Sequence, residues 1–300
     1  MRITVFGAGR MGLPLVRQLV TAGHEVHAVD SDPMRERMAL DAGARSEHAL
    51  GVAEVVVTVL PGTPELETVA ASLLSALGAG ALWIDLTSTA PSVAARLAEA
   101  AIAAGIHPVG AAMAGGPDAA ATGRLGFFVG GATEHVARAE PILGLFGDRI
   151  ERVGERVADG VTAKLLVNQL WFGQAVATTE ALLLGRALGL DPDELRGILA
   201  RSAAGGRFLE GPARALLAGD YLETFGLDRV VEELDALSAI ARERGVPFVV
   251  ADTVARLHRE ALAEFGPLQG ELLAAKLLEH RAGEPLRGAP PAGSSDASAP

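Results

Sequence analysis

Residues 2–30 alone narrow the fold sharply. A β-favouring apolar run from Arg2 to Phe6 meets a glycine-rich turn, an amphipathic stretch from Met11 to Ala22 closed by Gly23, and a second β-rich run from Glu25 to Asp30. This is one strand–helix–strand unit. The alternation continues, with strands expected at Glu54 to Leu60, Ala81 to Leu86, Ile106 to Gly110, Phe127 to Gly130 and Arg149 to Val153, and helices near Glu65 to Leu77, Pro91 to Ala104 and Glu134 to Phe146. Strands separated by helices of this length need crossover connections, so the sheet is expected to be largely parallel with helices on both faces. After Gly160 the strand signals stop. Helical periodicity runs over Val161 to Leu188, Pro192 to Ser202, Phe208 to Ala218, Leu227 to Arg244, Pro247 to Ala263 and Gln269 to His280. The first of these is long for a globular helix and reads as the spine that carries the chain from one domain into the next.

A length of 300 residues, at ~150 per domain, fits two domains. We set them at residues 1–158, mixed α/β, and 159–282, all helix. Residues 283–300 are rich in Gly, Pro, Ser and Ala without periodic apolar positions, and read as a disordered tail. Composition then removes several functions. The 26 basic and 37 acidic side chains leave a net charge of −11, the wrong sign for a protein that grips nucleic acid by its phosphates. The absence of cysteine excludes disulfides, thiolate metal sites and a cysteine nucleophile, and fits a reducing cytoplasm. No apolar run approaches the ~20 residues needed to cross a bilayer, and Met1 leads straight into a strand pattern, so neither a membrane span nor a leader is expected. Seven scattered histidines show no zinc-ligand spacing, and no metal site is expected.

The turn after the first strand reads Gly7-Ala8-Gly9-Arg10-Met11-Gly12. In this setting, between a strand and a helix, the three glycines suit a dinucleotide: Gly7 for the tight turn, Gly9 for close approach of backbone to a pyrophosphate, Gly12 for helix–strand packing. The helix start beyond them offers unpaired N–H groups to the phosphates. Asp30 closes the second strand 18 residues after Gly12, where a carboxylate accepts hydrogen bonds from an adenosine ribose; a helix N-cap ahead of Pro33 is the other use for it. Asp30 and Asp32 would repel a 2′-phosphate, so NAD is favoured over NADP, with Arg35 and Arg37 as the residues able to reverse that preference. Leu60 and Pro61, at the end of the third strand, and Ser88, after the fourth, belong to the same expected cofactor edge. Ser88 and Thr89 read equally as an N-cap cluster before Pro91.

Taken in order, four elements resemble the β-hydroxyacid dehydrogenases, a family that includes 3-hydroxyisobutyrate dehydrogenase and is related to 6-phosphogluconate dehydrogenase and the imine reductases. They are the glycine turn, Asp85-Leu86-Thr87-Ser88-Thr89-Ala90-Pro91, Gly115-Gly116-Pro117 followed by Gly123, and Gly160 with Lys164 and Asn168. The resemblance covers the chain to about His280. It implies a Rossmann-type, mostly parallel sheet domain followed by an all-α C-terminal domain joined by a long helix, and assembly through the helical region as a homodimer or homotetramer. It also implies that Lys164 and Asn168 form the catalytic pair, and that Ala114, Gly115 and Gly116 form a substrate loop with Lys164 and Asn168.

The pairing is physically sensible. Lys164 and Asn168 are four residues apart in an otherwise apolar helical segment and so share a face. A lysine in partly desolvated surroundings beside a positive nicotinamide ring is disposed to take an alcohol proton as hydride leaves. The alternative for such a pair is a snorkelling lysine and a surface amide. The chain departs from the family's pattern in two places: Ala114 stands where a serine usually precedes the paired glycines, and Glu232-Glu233 fall where a Lys-Asp pair is usual. The acidic pair also reads as a solvated helix face. The function expected is hydride transfer between a nicotinamide cofactor and a small hydroxy acid or its carbonyl counterpart. The alternatives are an imine reductase-like reductase and a non-catalytic NAD(H)-binding protein.

Overall fold

The computed structural model describes residues 1–46, 50–223 and 225–287, in two compact units, Met1–Lys164 and Leu165 onward. The first holds seven strands: β1 (Arg2–Phe6), β2 (Glu25–Val29), β3 (Val55–Thr58), β4 (Leu82–Asp85), β5 (His107–Ala114), β6 (Leu125–Gly130) and β7 (Gly147–Gly154). They form one sheet in the order β2-β1-β3-β4-β5-β6-β7, parallel except where β5 meets β6. The single reversal has a simple cause. Between Ala114 and Leu125 lies only the short helix α5 (Pro117–Ala121), less than the dozen or so residues a parallel crossover needs.

The crossover helices α1 (Gly12–Thr21), α2 (Pro33–Asp41), α3 (Thr63–Ala76), α4 (Pro91–Ala103) and α6 (Thr133–Phe146) cover the sheet. Strand β3 explains why its sequence is a run rather than an alternation. Val55 and Val57 pack into one cluster with Leu15, Ile84 and Phe127, while Val56 packs into another with Leu66, Leu73 and Trp83, so both faces are dry.

Helix α7 runs unbroken over Val157–Ala187, starting four residues before the expected Val161, and the limit of the first compact unit, Lys164, falls inside it. The second unit continues as α8 (Pro192–Ala200), α9 (Arg207–Glu210), α10 (Pro212–Ala218), α11 (Leu227–Glu243), α12 (Val249–Phe265) and α13 (Leu273–Ala282). The single helix expected over 208–218 is in fact two, because Pro212 lacks an N–H and pushes Gly211 out of helical geometry. The expected tail begins with ordered chain: Leu286 is fully buried, its N–H donates to Glu279 at 2.6 Å, and Glu284 pairs with Arg186. The rest of that tail, 288–300, lies outside the described residues.

One buried group in the second unit titrates against folding. His258, on α12, is 1% exposed beside Phe172, and its Nδ1 lies 2.8 Å from the Val254 carbonyl. A carbonyl can only accept, so Nδ1 carries the proton, and Nε2 is left buried with no partner among the described residues. Burial pushes this imidazole down to about 4. The unfolded chain therefore takes the proton near pH 6.5 and the folded one only near 4. The contribution to stability is full above 6.5 and shrinks by roughly 3 kcal/mol as pH falls through 4. Thermal melts between pH 4 and 7 should show a smaller acid loss for His258→Leu than for the wild type. Parallel curves would refute it.

Candidate functional site

The register aligns Phe6 with Thr58, Thr58 with Asp85, and Asp85 with Gly110, so the turns after β1, β3 and β4 leave the sheet at one edge, where parallel sheets bind ligands. The glycines at this edge divide by role. A Cβ on Gly7 would lie 2.1 Å from the Val59 carbonyl oxygen, and one on Gly12 would lie 1.9 Å from that of Gly7, so neither position tolerates a side chain. Gly9 is open. The nearest atom to a Cβ there is Nη1 of Arg35, 3.6 Å away, which leaves room for another molecule to approach the backbone. Helix α1 starts with no side-chain cap and no acid in its first turn, leaving Arg10, Met11 and Gly12 at a helix start suited to an anion.

Asp30 follows β2 directly. Its Oδ2 accepts the Ala8 N–H at 2.8 Å and its Oδ1 accepts the Asp32 N–H at 2.9 Å, so the carboxylate ties the glycine turn to the second strand. Ala8, expected at the cofactor, thus spends its N–H within the protein. The N-cap of α2 is Asp32, which accepts the Met34 N–H, and not Asp30. Arg35 pairs with Asp32 at 3.5 Å, and Arg37 with Asp41 at 3.2 Å. Ser88 is not a cap either: the N-cap of α4 is Ala90, with no side-chain bond, and Thr89 instead meets Thr63, Oγ1 to Oγ1, at 2.6 Å. Leu60 and Pro61 lie across from Thr87, whose Oγ1 accepts the Leu60 N–H at 3.2 Å. Burial pushes the Asp85 carboxyl up to about 6, against the hydrogen bonds from Thr58 and Thr87 that favour its anion.

Strand β5 runs four residues past Gly110 to Ala114, roughly 13 Å beyond the end of β4. Gly115, at φ +108°, turns the chain there, and a Cβ on it would crowd Ala119 at 2.9 Å; Gly116 is the N-cap of α5, again without a side-chain bond. The start of α7 is set on the sheet by three further glycines. A Cβ on Gly160 would lie 2.4 Å from the Phe128 carbonyl oxygen and 3.0 Å from that of Gly110, one on Gly130 would lie 2.2 Å from the Arg156 carbonyl oxygen, and one on Gly110 2.4 Å from the Val157 carbonyl oxygen. Backbone touches backbone here.

One turn beyond Gly160 comes Lys164, only 7% exposed, which does not suit a snorkelling side chain. Asn168 is one turn further, and its Nδ2 donates to Oε2 of Glu233 at 2.7 Å. The acidic pair on α11 splits. Glu232 is on the surface with Arg229, whereas Glu233 is 9% exposed on the face shared with Val230, Leu234 and Leu237. Sequence reasoning did not single out Glu233 as the partner of Asn168, although its place in that helical apolar spacing marks it. Among the described residues, no group of three His, Cys, Asp or Glu could hold a metal, and no helix is long and apolar enough to cross a membrane.

Residues 2–154 match the NAD binding domain of 6-phosphogluconate dehydrogenase, and residues 158–278 match the family described as NAD-binding of NADP-dependent 3-hydroxyisobutyrate dehydrogenase. The chain belongs to the β-hydroxyacid dehydrogenases. This dehydrogenase is 36% identical over 210 residues to 3-hydroxyisobutyrate dehydrogenase of Pseudomonas aeruginosa, a match covering 68% of this chain and 70% of the relative. Its fold is that of the Mycobacterium tuberculosis 3-hydroxyisobutyrate dehydrogenase solved with L-serine, with a TM-score of 0.84 at 24% identity over 92% of this chain and 98% of the other. The imine reductase of Streptomyces aurantiacus shares the fold at a TM-score of 0.61 and 19% identity, over 93% and 99% of the two chains. The dehydrogenase is therefore an NAD(P)-dependent oxidoreductase of hydroxy acids and their carbonyl counterparts, and a purely non-catalytic reading falls away.

Proposed function

We propose that this dehydrogenase oxidises a small hydroxy acid with Lys164 as proton acceptor, and reduces the carbonyl compound with Lys164 as proton donor. The observation that carries the reading is the seat of α7: Gly160 rests on β5 and β6 against bare backbone, and this fixes the buried Lys164 one turn along. The open Gly9, the start of α1 at Arg10, Met11 and Gly12, and the edge residues Leu60, Pro61 and Ser88 suit the dinucleotide. Bound there, the nicotinamide supplies the acceptor or donor of the hydride. As the C–H bond gives up its electron pair, the Nζ of Lys164 takes the hydroxyl proton, so the substrate loses two electrons and two hydrogens in all, one as hydride from carbon and one as a proton from oxygen. Asn168, held by Glu233, orients the substrate oxygen. The backbone N–H groups of Gly115 and Gly116 suit a substrate carboxylate that Ala114, lacking a hydroxyl, no longer helps to bind.

NAD is the cofactor favoured. Asp30 and Asp32 follow the second strand, where their carboxylates would repel a 2′-phosphate, and Asp32 already engages Arg35. The rival reading, an imine reductase-like enzyme using NADPH, draws on Ala114 and on the closeness of Arg35 to Gly9. Cofactor-absorbance assays of hydroxy acids, aldehydes and cyclic imines with both nicotinamide pairs separate the two. The expected result is turnover of a hydroxy acid with kcat/KM higher for NAD than for NADP. Turnover only of imines, with NADPH, overturns the proposal. A homodimer or homotetramer belongs to the same reading and rests on the exposed Leu166, Val167, Leu170, Val249 and Val250 of the helical unit. A cytoplasmic setting rests on the cysteine-free sequence.

A further inference from the structure

We propose that Asp85 is a positioning residue for the cofactor, the acceptor on which the two turns of the binding edge are hung. The indole Nε1 of Trp83 donates to Oγ1 of Thr58 at 3.1 Å, and an indole N–H can only donate. Thr58 is fully buried, so the one proton of its hydroxyl goes to Oδ1 of Asp85 at 2.7 Å. The same Oδ1 takes the main-chain N–H of Thr87 at 3.0 Å. Thr87 in turn accepts the N–H of Leu60 through its hydroxyl, at 3.2 Å.

A single carboxylate oxygen thus receives two lines of donors, one from Trp83 of β4 through Thr58, the last residue of β3, and one from Thr87, whose hydroxyl holds the backbone of the turn after β3 at Leu60. Thr63 and Thr89 add a second tie between the same two segments. Asp85 is given no contact with the dinucleotide in this proposal. Its effect passes to Leu60, Pro61 and Ser88, which it holds in place as one lip. The inference rests on the reading that puts the cofactor at this edge.

The experiment is fluorescence titration of the whole 300-residue chain with NADH, beside steady-state kinetics. Asp85→Ala, which leaves the buried Thr58 hydroxyl and Thr87 N–H without their acceptor, should raise the Kd for NADH about tenfold, with the KM for NAD rising alongside and kcat at saturating NAD changing far less. Asp85→Asn keeps an oxygen acceptor and should stay within about threefold of the wild type. Thr87→Val removes the tie to Leu60 together with the hydroxyl's own bond to Asp85; it should weaken NADH in the same direction, and adding it to Asp85→Ala should cost less than the sum of the two. If Asp85→Ala does not fold, Thr87→Val carries the test. A folded Asp85→Ala or Thr87→Val with wild-type Kd, or an Asp85→Asn as weak as the alanine variant, overturns the proposal. A wild type that binds no NADH overturns the cofactor reading and this inference with it, whereas tight wild-type binding that the variants do not alter overturns this inference alone.

Discussion

Lys164→Ala is expected to lower kcat by roughly two to four orders of magnitude, the usual share of a general acid or base, while NADH binding survives. Lys164→Arg sharpens the result. A guanidinium keeps the positive charge and much of the length but cannot give up a proton near neutrality, so it should be as inactive as alanine. Activity retained by the arginine variant would mean that the charge matters and the proton does not. Burial makes the comparison informative, because a side chain 7% exposed has little freedom to find a second position after substitution.

Gly160→Ala is expected to have the second largest effect, although it adds one methyl group and touches no ligand. That carbon would lie 2.4 Å from the Phe128 carbonyl oxygen and 3.0 Å from the Gly110 carbonyl oxygen. Both obstacles are main chain in the sheet, so the first turns of α7 must lift. Overpacking of this kind costs about 1–3 kcal/mol, visible as a lower Tm. A shift of about an ångström at Lys164 is enough to cost about a hundredfold in kcat/KM. NADH affinity should be nearly unchanged, since the glycine turn after β1 is not involved. Wild-type kcat/KM in Gly160→Ala would show that the seat of the helix does not set the lysine.

Much of this arrangement is legible from the sequence because it is local. The run within Glu54 to Leu60 reads as a strand, which forms over Val55–Thr58 with both faces buried, and the glycine turn with its neighbouring strand and helix points to the edge expected to bind ligands. What escapes notice depends on pairing. Ala111 to Ala114 have weak strand preference, and become strand only because β6 folds back against them from Gly126 to Val129. The cap of α2 sits on Asp32 rather than Asp30 because the side chain of Asp30 is drawn toward Ala8, a partner 22 residues away. Asp85 looks like any acid closing a strand; Trp83 precedes it by two residues on β4, and only the register with β3 brings Thr58 between them. Glu233 hides next to Glu232, and only the phase of α11 tells the buried carboxylate from the surface one.

Lys164 and Asn168 belong to different compact units yet ride on the same uninterrupted rod, Val157–Ala187, with a rise of about 6 Å between them. For recombination between relatives, this decides where genes can be spliced. A hybrid joined at the compact-unit limit would draw Lys164, the proposed proton carrier, from one parent and Asn168 from the other, with the intervening turn a patchwork of both. A junction placed upstream of Val157 hands over the pair intact, along with the carboxylate at position 233 that orients the amide.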